Sequence, residues 1–379
     1  MLILIAPDKF KGTLGAPEVA AAIAEGVKRV VPDATIELRP LGDGGEGTME
    51  ALRAKLGGRT EDVTVTGPLG GSVEATITFF DDGRVGLETA AASGLTLVAP
   101  SQRDALAASS RGTGELLVAA LRRAGPGAQV IVGIGGSAST DGGTGAADAG
   151  GWRFLDGDGR ELPPGGGALT RLARIDGSGV ASDIRDRPII GACDIDNPLL
   201  GERGSAPVFA PQKGASRKDV EVLEAGLGVL SATMARDLGV RVADRAGAGA
   251  AGGLGAGLAG FFGAKLRPGF EFVAEATALE RAIRASDLVI TGEGLLDDSS
   301  LGGKVPVGVA RMARRAGVPC AALAGDIHLG TDALGAEGIS PAAAGVAATG
   351  RHRAMDDTKS AVADTTERLM LGLIRDADP

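Results

Sequence analysis

Apolar residues near the amino terminus fall into two alternating patterns. Residues 2–6 (LILIA) form an uninterrupted apolar run, which is typical of a strand buried on both faces. A segment with helical spacing follows from Pro17 to about Val31, then a second strand at 35–40 and a second helix at 48–57. Strands that alternate with amphipathic helices predict right-handed βαβ units around a parallel sheet.

The carboxyl-terminal part of the chain repeats this pattern. The sequence predicts strands at 287–291, 319–325 and 338–347, and helices at 305–317 and 357–377. The middle differs, because residues 61–90 alternate apolar and polar positions between Gly, Pro and Asp turns, which indicates antiparallel hairpins.

We therefore expect the two ends of the chain to form one discontinuous domain. Neither terminal segment alone supplies enough strands for a well-covered parallel sheet. We expect a two-domain α/β protein, with a Rossmann-like parallel-sheet domain built from both chain ends (1–58 and 286–379). A second α/β domain (59–285) is inserted between them.

Composition narrows the function classes. The chain carries 39 basic and 48 acidic residues, for a net charge of −9, and has no Tyr, one Trp and nine Phe. This disfavours a nucleic-acid-binding surface. Cys193 and Cys320 are far apart without metal-ligand spacing, and the first apolar run is too short for a signal peptide, which together favour a cytoplasmic protein with reduced thiols.

One uncharged segment approaches membrane-spanning length. Residues 246–264 include eight glycines and four Leu or Phe residues, so membrane insertion would be weakly driven and no membrane association is expected. The chain has 63 glycines, mostly where strands end, and this placement suits close approach of the backbone to a ligand.

The stretch GIGGSAS (133–139) matches the dinucleotide fingerprint Gly-x-Gly-x-x-Ala after an apolar run, with Asp156 about twenty residues on. The fingerprint also requires a packed helix, but residues 139–151 contain five glycines and almost no large apolar face. A nicotinamide site is therefore a weaker interpretation than an anion-binding turn. A Walker A site is excluded, because Val305 follows Lys304 where Ser or Thr is required.

Seven segments in register resemble the sequence blocks of one family and cover nearly the whole chain: APDKFKGTLGAPEVA (6–20), GDGGEGT (42–48), GTGELL (112–117), GIGGSASTDGGTG (133–145), ACDIDNPLLGERGSAPVFAPQKGA (192–215), GAGAAGGLGAGLAGFFGAKLRPG (247–269) and DLVITGEGLLDDSSLGGKVPVGVA (287–310). Their order and spacing resemble the type I bacterial glycerate kinases. Thr140, Leu295 and Ser299 depart from the pattern, which usually has Asn, Arg and Gln there.

This resemblance implies ATP- and Mg²⁺-dependent phosphorylation of D-glycerate, generally at the 2-hydroxyl, and a two-domain architecture with an insertion. Glycerate and ATP are the expected partners, and a homodimer is left open. Phosphorylation at the 3-hydroxyl, another small hydroxy acid as substrate, an NAD(P)-dependent oxidoreductase and an inactive regulatory relative also stay open.

Phosphoryl transfer needs cations for the phosphates, carboxylates for Mg²⁺ and a proton acceptor, and candidates follow predicted strands. Lys9 and Lys11 with Asp8 come after the first strand and could meet a carboxylate or phosphate. Asp43 and Glu46 lie in a glycine-rich loop and are candidates for binding substrate.

Two further pairs of carboxylates are candidate metal ligands. Asp194 and Asp196 share a face if extended, and either could instead accept the proton. Glu293 and Asp297 follow the strand at 287–291. The remaining candidates bind substrate or phosphate: Asn197, Ser137 and Asp141 for substrate, Lys213 and Lys304 as phosphate cations, and Gly135, Gly136, Gly252 and Gly253 for nucleotide.

Overall fold

The structure of the protein, a computed structural model, describes residues 1–377, with the side chains of the last two of these left out. The chain divides into two compact units. The first contains residues 1–43, 50–57 and the described residues from 270 onward, and the second contains residues 44–49 and 58–269. Residues 270–285, which the sequence analysis placed in the insertion, group with the first unit because they pack against its sheet and helices.

The elements follow one another along the chain in three groups. The first unit begins with β1 (Leu2–Pro7), α1 (Ala16–Val30), β2 (Thr35–Leu38) and α2 (Thr48–Leu56). The second unit contains β3 (Arg59–Thr66), β4 (Ser72–Phe79), β5 (Val85–Glu88), α3 (Thr89–Ser93), α4 (Arg111–Arg123), β6 (Val130–Gly133), α5 (Thr144–Ala149), β7 (Arg153–Leu155), β8 (Arg174–Asp176), β9 (Ile189–Cys193), α6 (Ser205–Phe209), α7 (Arg217–Leu238), α8 (Ala250–Phe261) and β10 (Lys265–Pro268). The chain then returns to the first unit with α9 (Gly269–Ala276), α10 (Leu279–Ala285), β11 (Leu288–Leu296), α11 (Val305–Ala316), β12 (Cys320–Ile327), α12 (Thr331–Glu337), β13 (Ala342–Ala344), α13 (Gly345–Thr349), α14 (Arg351–Asp356) and α15 (Thr358–Ala377).

The sheet of the first unit is parallel, with the strand order β13-β12-β11-β1-β2. Its central strands β1 and β11 are almost wholly buried, as their continuous apolar runs require. Both ends of the chain contribute strands, so the predicted α/β class and the parallel sheet built from both ends are confirmed.

This strand order contains a topological switch point. From β1 the chain moves to β2 on one side, and β11 later pairs with β1 on the other side, with Pro7 opposite Gly292 near the carboxyl ends. In open α/β sheets, ligands bind in the crevice that opens where the strand order reverses. The loops after β1 and β11 flank this crevice.

The second unit has a mixed sheet with the strand order β10-β9-β6-β5-β4-β3. Strands β3, β4 and β5 are antiparallel, which confirms the predicted hairpins, and β5, β6, β9 and β10 are parallel. The segments GIGGSAS and CDIDNP follow β6 and β9, so both leave the same edge of this sheet.

Two predictions of secondary structure need correction. The strand expected at 338–347 is reduced to β13, because the chain turns into α13 from Gly345. The glycine-rich segment after GIGGSAS does form a helix, α5, but this helix has only six residues.

The uncharged segment 246–264 packs inside the second unit. Most of α8 is buried, and no helix in the described part of the chain is long and apolar enough to cross a membrane. Ala251, Gly252 and Gly253 have left-handed backbone angles that break the first turn of α8. A Cβ at Gly252 would lie 1.9 Å from the carbonyl oxygen of Ser139, so only glycine fits this contact.

Candidate active-site residues

Charged side chains of the first unit gather at the carboxyl ends of β1 and β11. Asp8 and Glu293 are buried, with 6% and 7% exposed. The Nζ of Lys9 lies 3.7 Å from the Oδ1 atoms of both Asp8 and Asp43. The structure thus brings together four of the predicted site residues, Asp8, Lys9, Asp43 and Glu293, in the crevice that the sheet topology creates.

Both buried acids of this crevice resist ionisation. Burial raises the pKa of Asp8 to about 7, the charge of Lys9 opposes this rise, and the charges of Asp43 and Glu293 add to it. Burial also raises the pKa of Glu293, against the opposing hydrogen bond from Ser300. A cation in the crevice would stabilise the ionised carboxylates, so the crevice favours a positively charged ligand.

The loop between β11 and α11 carries two further predicted residues. Asp297 begins a short 3₁₀ turn (Asp298–Gly302), and its Oδ1 accepts hydrogen bonds from the N–H and the hydroxyl of Ser299. These bonds lower the pKa of Asp297. The Nζ of Lys304 donates to the Oγ of Ser299 at 2.8 Å. Asp297 therefore shapes this turn, and Lys304 lies at its end with its ammonium group bound to Ser299.

In the second unit, Lys213 is almost fully buried, with 2% exposed. Its Nζ donates to the Oγ of Ser137 at 2.9 Å and to the carbonyl oxygen of Ser139. Burial lowers the pKa of Lys213 to about 7, while the charge of Asp141 opposes this shift. The lysine and the GIGGSAS turn thus form one cluster, which we call the lysine–serine cluster (Ser137, Ser139, Thr140 and Lys213).

Two hydroxyls of the lysine–serine cluster lack partners. Among the described residues, the Oγ of Ser139 and the Oγ1 of Thr140 are buried without a hydrogen bond, and both residues are completely buried. Buried hydroxyls are normally satisfied, and unsatisfied ones need an explanation. Together with a buried ammonium group, they suit the recognition of an anion.

Asp141 holds the local structure together. It is completely buried, and its carboxylate accepts hydrogen bonds from the N–H and hydroxyl of Ser110 and from the N–H groups of Gly143 and Gly145. These donors belong to the first turns of α4 and α5 and the turn before α5. Asp141 therefore acts as a positioning residue for the lysine–serine cluster.

The loop 44–48 lies against the carboxyl ends of β6 and β9. A Cβ at Gly44 would meet the backbone of Ala192 at 2.8 Å, and one at Gly135 would meet the Cα of Gly45 at 3.1 Å. Glu88, which the sequence analysis missed, accepts hydrogen bonds from the N–H groups of Gly47 and Met49 at 3.0 and 2.8 Å. These contacts leave Glu46 exposed on the loop.

The predicted nucleotide glycines have packing roles. Gly252 and Gly253 press α8 against residues 139–142, and the N–H of Gly142 donates to the carbonyl oxygen of Gly252 at 2.9 Å. Gly136 has a left-handed backbone, and its carbonyl oxygen accepts a hydrogen bond from the N–H of Leu95. These contacts fix the shape of the turn that carries Ser137.

The segment after β9 is more exposed than expected for a metal site. The Oδ1 of Asp196 pairs with Arg203 at 2.8 Å, and three quarters of the Asp196 side chain is exposed. The side-chain amide of Asn197 donates to the carbonyl oxygen of Arg203 at 2.7 Å, and Asp194 is exposed. Asp194 and Asp196 belong to the second unit, whereas Glu293 and Asp297 belong to the first.

Comparisons with known proteins decide the family. Residues 3–373 match the model of the glycerate kinase family. The chain belongs to the glycerate kinase family. A glycerate kinase of Bacillus subtilis (strain 168) is 46% identical over 340 residues, which are 89% of this chain and 88% of that protein.

Other relatives agree with this family. The glycerate 2-kinase of Escherichia coli (strain K12) is 45% identical over 336 residues, which are 88% of this chain and 87% of that protein. The crystal structure of a protein described as a glycerate kinase 2 from Salmonella typhimurium LT2 covers 100% of both chains at 42% identity, with a TM-score of 0.86. The resemblance read from the seven sequence blocks is confirmed.

Membership of the glycerate kinase family makes the protein a kinase. This decides against the oxidoreductase interpretation of GIGGSAS, which had already lost support because α5 is short. For a glycerate kinase, the carboxylates and cations of the first-unit crevice and the lysine–serine cluster are the groups whose chemistry suits phosphoryl transfer.

The donor set of the crevice fits Mg²⁺. Within residues 1–377, no three His, Cys, Asp or Glu side chains converge as a metal site. Mg²⁺ does not require such a cage, because it usually binds one or two carboxylates together with waters and phosphate oxygens. Asp8 and Glu293, two buried acids whose pKa values are raised, offer that smaller set.

Sequence reasoning missed several supporting side chains. Ser300 donates to the Oε1 of Glu293, Ser110 binds Asp141, and Glu88 holds the loop 44–48. Glu88 had a usable signal, since it is a charged residue near the end of the predicted hairpin region 61–90 and lies at the end of β5. Ser110 and Ser300 had none, because a serine in a loop is common and its partner is distant in sequence or set by the turn.

Proposed function

We propose that this glycerate kinase transfers the γ-phosphoryl group of ATP to the 2-hydroxyl of D-glycerate with Mg²⁺, giving 2-phosphoglycerate and ADP, and that it works in the cytoplasm. The observation that carries the position of transfer is the 45% identity to a protein named glycerate 2-kinase over almost the whole chain. The two clusters of charged residues support the phosphoryl-transfer chemistry.

The first-unit crevice supplies groups for a magnesium nucleotide. Glu293 would hold Mg²⁺, which neutralises phosphate charge when bound, and Asp8 lies in the same crevice without binding the metal directly. Lys9 and Lys304 add positive charge for the phosphates. Because the pKa of Asp8 lies at about 7, this carboxyl group is also suited to accept the hydroxyl proton near neutral pH, and this is the role we propose for it when Glu293 binds the metal.

The lysine–serine cluster supplies an anion site. A negative charge beside Lys213 would favour its protonated form and would provide a partner for the unsatisfied hydroxyls of Ser139 and Thr140. We assign this cluster to an anionic group of the reactants, either the glycerate carboxylate or a phosphate. Asp194, Asp196 and Glu46 are exposed and Asn197 is half-buried, so all four stay predicted site residues that reactants can reach.

A coupled assay tests the reaction and its position. Purified protein is given ATP, Mg²⁺ and D-glycerate, followed by enolase, pyruvate kinase and lactate dehydrogenase without phosphoglycerate mutase. Only 2-phosphoglycerate feeds enolase directly, so we expect NADH oxidation that does not depend on added mutase. A signal that appears only with mutase would contradict transfer to the 2-hydroxyl.

Matched variants test the residue roles in the same assay. Asp8→Asn and Lys213→Met should each lower kcat/KM by about 10²-fold or more, since each removes a charge in contact with the reacting groups. Asp81→Asn and Lys218→Met alter exposed residues of the same types and should keep the wild-type rate. Wild-type rates in Asp8→Asn or Lys213→Met would refute the corresponding role.

A further inference from the structure

A second opening in the first unit lies beside the crevice and has a different character. A cavity of about 250 Å³ opens at the carboxyl ends of β11 and β12. It is lined by residues from the loop after β1, from the ends of these strands, and from α13 to α15, among them Phe10, Lys11, Leu295, Asp326, Val346 and Met355.

The cavity has apolar walls that stay exposed. Leu295 is 38% exposed and Met355 is 55% exposed, although both are large hydrophobic residues. Phe10 and Val346 complete the apolar wall. Single exposed hydrophobic residues are common, but several that line one concave site indicate a ligand with an apolar surface.

The rim of the cavity is cationic. Lys11 is exposed and makes no ion pair with any of the described residues. Arg351 and His328 flank the rim carboxylate Asp326, at 3.5 and 3.6 Å. An apolar hollow with an unpaired ammonium group and a guanidinium at its edge suits a ligand that has an uncharged part attached to an anionic part.

The cavity and the crevice both lie at the end of β11, which contributes Leu295 to the first and Glu293 to the second. Leu295 follows Glu293 by two residues, so the two side chains leave the strand on one face, about 7 Å apart. Gly294 and Gly325 form the floor of the cavity and pack closely against each other. A Cβ at Gly325 would meet the carbonyl oxygen of Gly294 at 2.5 Å. A ligand can therefore lie across this floor with one end at Leu295 and the other near Glu293 and Lys9.

We propose that this cavity holds the adenine base of ATP, with the phosphates directed toward Lys9, Glu293 and Lys304. The proposal rests on the proposed ATP-dependent reaction and adds the place where the base binds. A volume of 250 Å³ suits a ring system and is smaller than sites that enclose a whole nucleotide. Glycerate offers no comparable apolar surface, so the apolar wall favours the nucleotide.

Calorimetric titration with ADP tests the proposal on the full-length protein. Leu295→Asp and Met355→Asp place a carboxylate on the apolar wall and should each raise the Kd for ADP about tenfold or more. Leu371→Asp is the matched control, because Leu371 is 41% exposed on α15 and does not line the cavity. It should leave the Kd unchanged.

Two further readouts separate the base from the phosphates. Inorganic tripolyphosphate should bind the wild type and the uncharged variant Leu295→Asn with equal affinity, and the KM for glycerate should stay the same in Leu295→Asn while the KM for ATP rises. If Leu295→Asp and Met355→Asp bind ADP like the wild type, the cavity does not hold the base, although the kinase reaction would stand. If the wild type binds no ADP and uses no ATP, the proposed function fails together with this inference.

Photolabelling locates the base directly. Irradiation with 8-azido-ADP should label peptides that contain residues 10–13, 294–295 or 346–358, and excess ADP should prevent the labelling. Labelling confined to the glycine-rich segments 133–145 or 247–260 would overturn the proposal and place the base in the second unit.

Discussion

The Nζ of Lys213 donates a hydrogen bond to the Oγ of Ser137 at 2.9 Å, across 76 residues of sequence. The ammonium group is buried, and its carboxylate neighbour Asp141 already accepts from Ser110 and two glycine N–H groups. The lysine is thus held without a dedicated counter-ion of its own. This arrangement leaves room for the charge of a ligand to complete the site.

The first prediction concerns the pH dependence that Lys213 adds. Its pKa is about 7 in the folded protein and 10.5 as the reference for an unfolded chain, so the unfolded state binds more protons between these pH values. The free energy of unfolding therefore rises with pH between these values. The contribution of Lys213 to stability is fully present above pH 10.5 and is lost as pH falls toward 7. Lys213→Met should remove this slope in urea titrations at pH 7 to 10, whereas Lys218→Met should retain it.

The second prediction concerns Asp8, for which the free energy of unfolding changes with pH in the opposite direction. Its pKa rises from 3.8 to about 7 on folding, so the folded state holds more protons between these values. The contribution of Asp8 to stability is therefore fully present below pH 3.8 and is lost as pH rises through 7. At pH 8, Asp8→Asn should be more stable than the wild type, by on the order of 2 kcal/mol. At pH 5 the difference should be smaller.

The outcome for Asp8 is read from urea unfolding of the ligand-free protein at both pH values. Asp81→Asn, which changes an exposed aspartate in a turn, serves as the control and should match the wild type. An Asp8→Asn variant that is less stable than the wild type at pH 8 would show that the buried carboxylate is better satisfied than its burial indicates. Added Mg²⁺ should reduce the difference in free energy of unfolding between Asp8→Asn and the wild type at pH 8, because a cation in the crevice stabilises the ionised carboxylate of Asp8.

The third prediction concerns the loop 44–48. Glu88→Gln keeps the shape of the side chain but replaces one carboxylate oxygen by an NH₂ group, which cannot accept from an N–H group. One of the two N–H groups, that of Gly47 or that of Met49, should then exchange with deuterium about tenfold faster, which corresponds to the loss of one ordinary hydrogen bond. Hydrogen exchange followed by mass spectrometry measures this change.

Glu115→Gln is the control for Glu88. Glu115 also binds a backbone N–H group in the second unit, that of Thr66, but it lies on α4 outside the loop. Its exchange effect should appear at Thr66 and not at Gly47. Unchanged protection of Gly47 and Met49 in Glu88→Gln would show that the packing of Gly44 alone holds the loop.

The fourth prediction compares two helical glycines. A Cβ at Gly257 of α8 would lie 2.6 Å from the carbonyl oxygen of Gly142 and 2.7 Å from the Cα of Gly143. Gly257→Ala should therefore lower the free energy of unfolding by about 1–3 kcal/mol. At Gly228, in the middle of α7, a Cβ would meet nothing within 4 Å. Gly228→Ala should therefore raise the free energy of unfolding by about 0.5–1 kcal/mol.

Urea unfolding of the two variants provides the measurement. The opposite signs separate close packing of α8 against the turn from the general preference of helices for alanine. Stabilisation by Gly257→Ala would contradict the close contact with Gly142. Activity should fall with stability only in Gly257→Ala, because Gly142 and Gly143 follow the lysine–serine cluster directly in the chain.

Much of the fold was predictable from local patterns. The uninterrupted apolar run of β1 and the alternation in β3 and β4 identified their strand types because burial on one or both faces leaves its period in the sequence. The pattern failed at 338–347, where small residues dominate and carry little information about whether alanine packs in a strand or a helix. The sequence placed residues 270–285 in the insertion, whereas their contacts group them with the first unit, because the patterns of α9 and α10 do not show which unit they pack against.

For the candidate site too, some residues could be predicted from the sequence and others could not. Asp8, Lys9, Asp43 and Glu293 were identified because polar residues after buried strands lie at the edge where parallel sheets bind ligands. The organising role of Asp141 was not identified, because its partners Ser110 and Gly145 come from different elements and their N–H directions depend on tertiary packing.

By itself, the sequence determined the α/β class, the discontinuous parallel sheet, the glycerate kinase family and the strand ends that carry charged residues. These features depend on periodicity and on short motifs, which a chain carries locally. Only the tertiary structure decided which of these residues are buried and what they bind, as for Lys213 and Asp8. Burial and hydrogen bonding arise from segments that are distant in sequence, and they set the pKa values on which the chemistry depends.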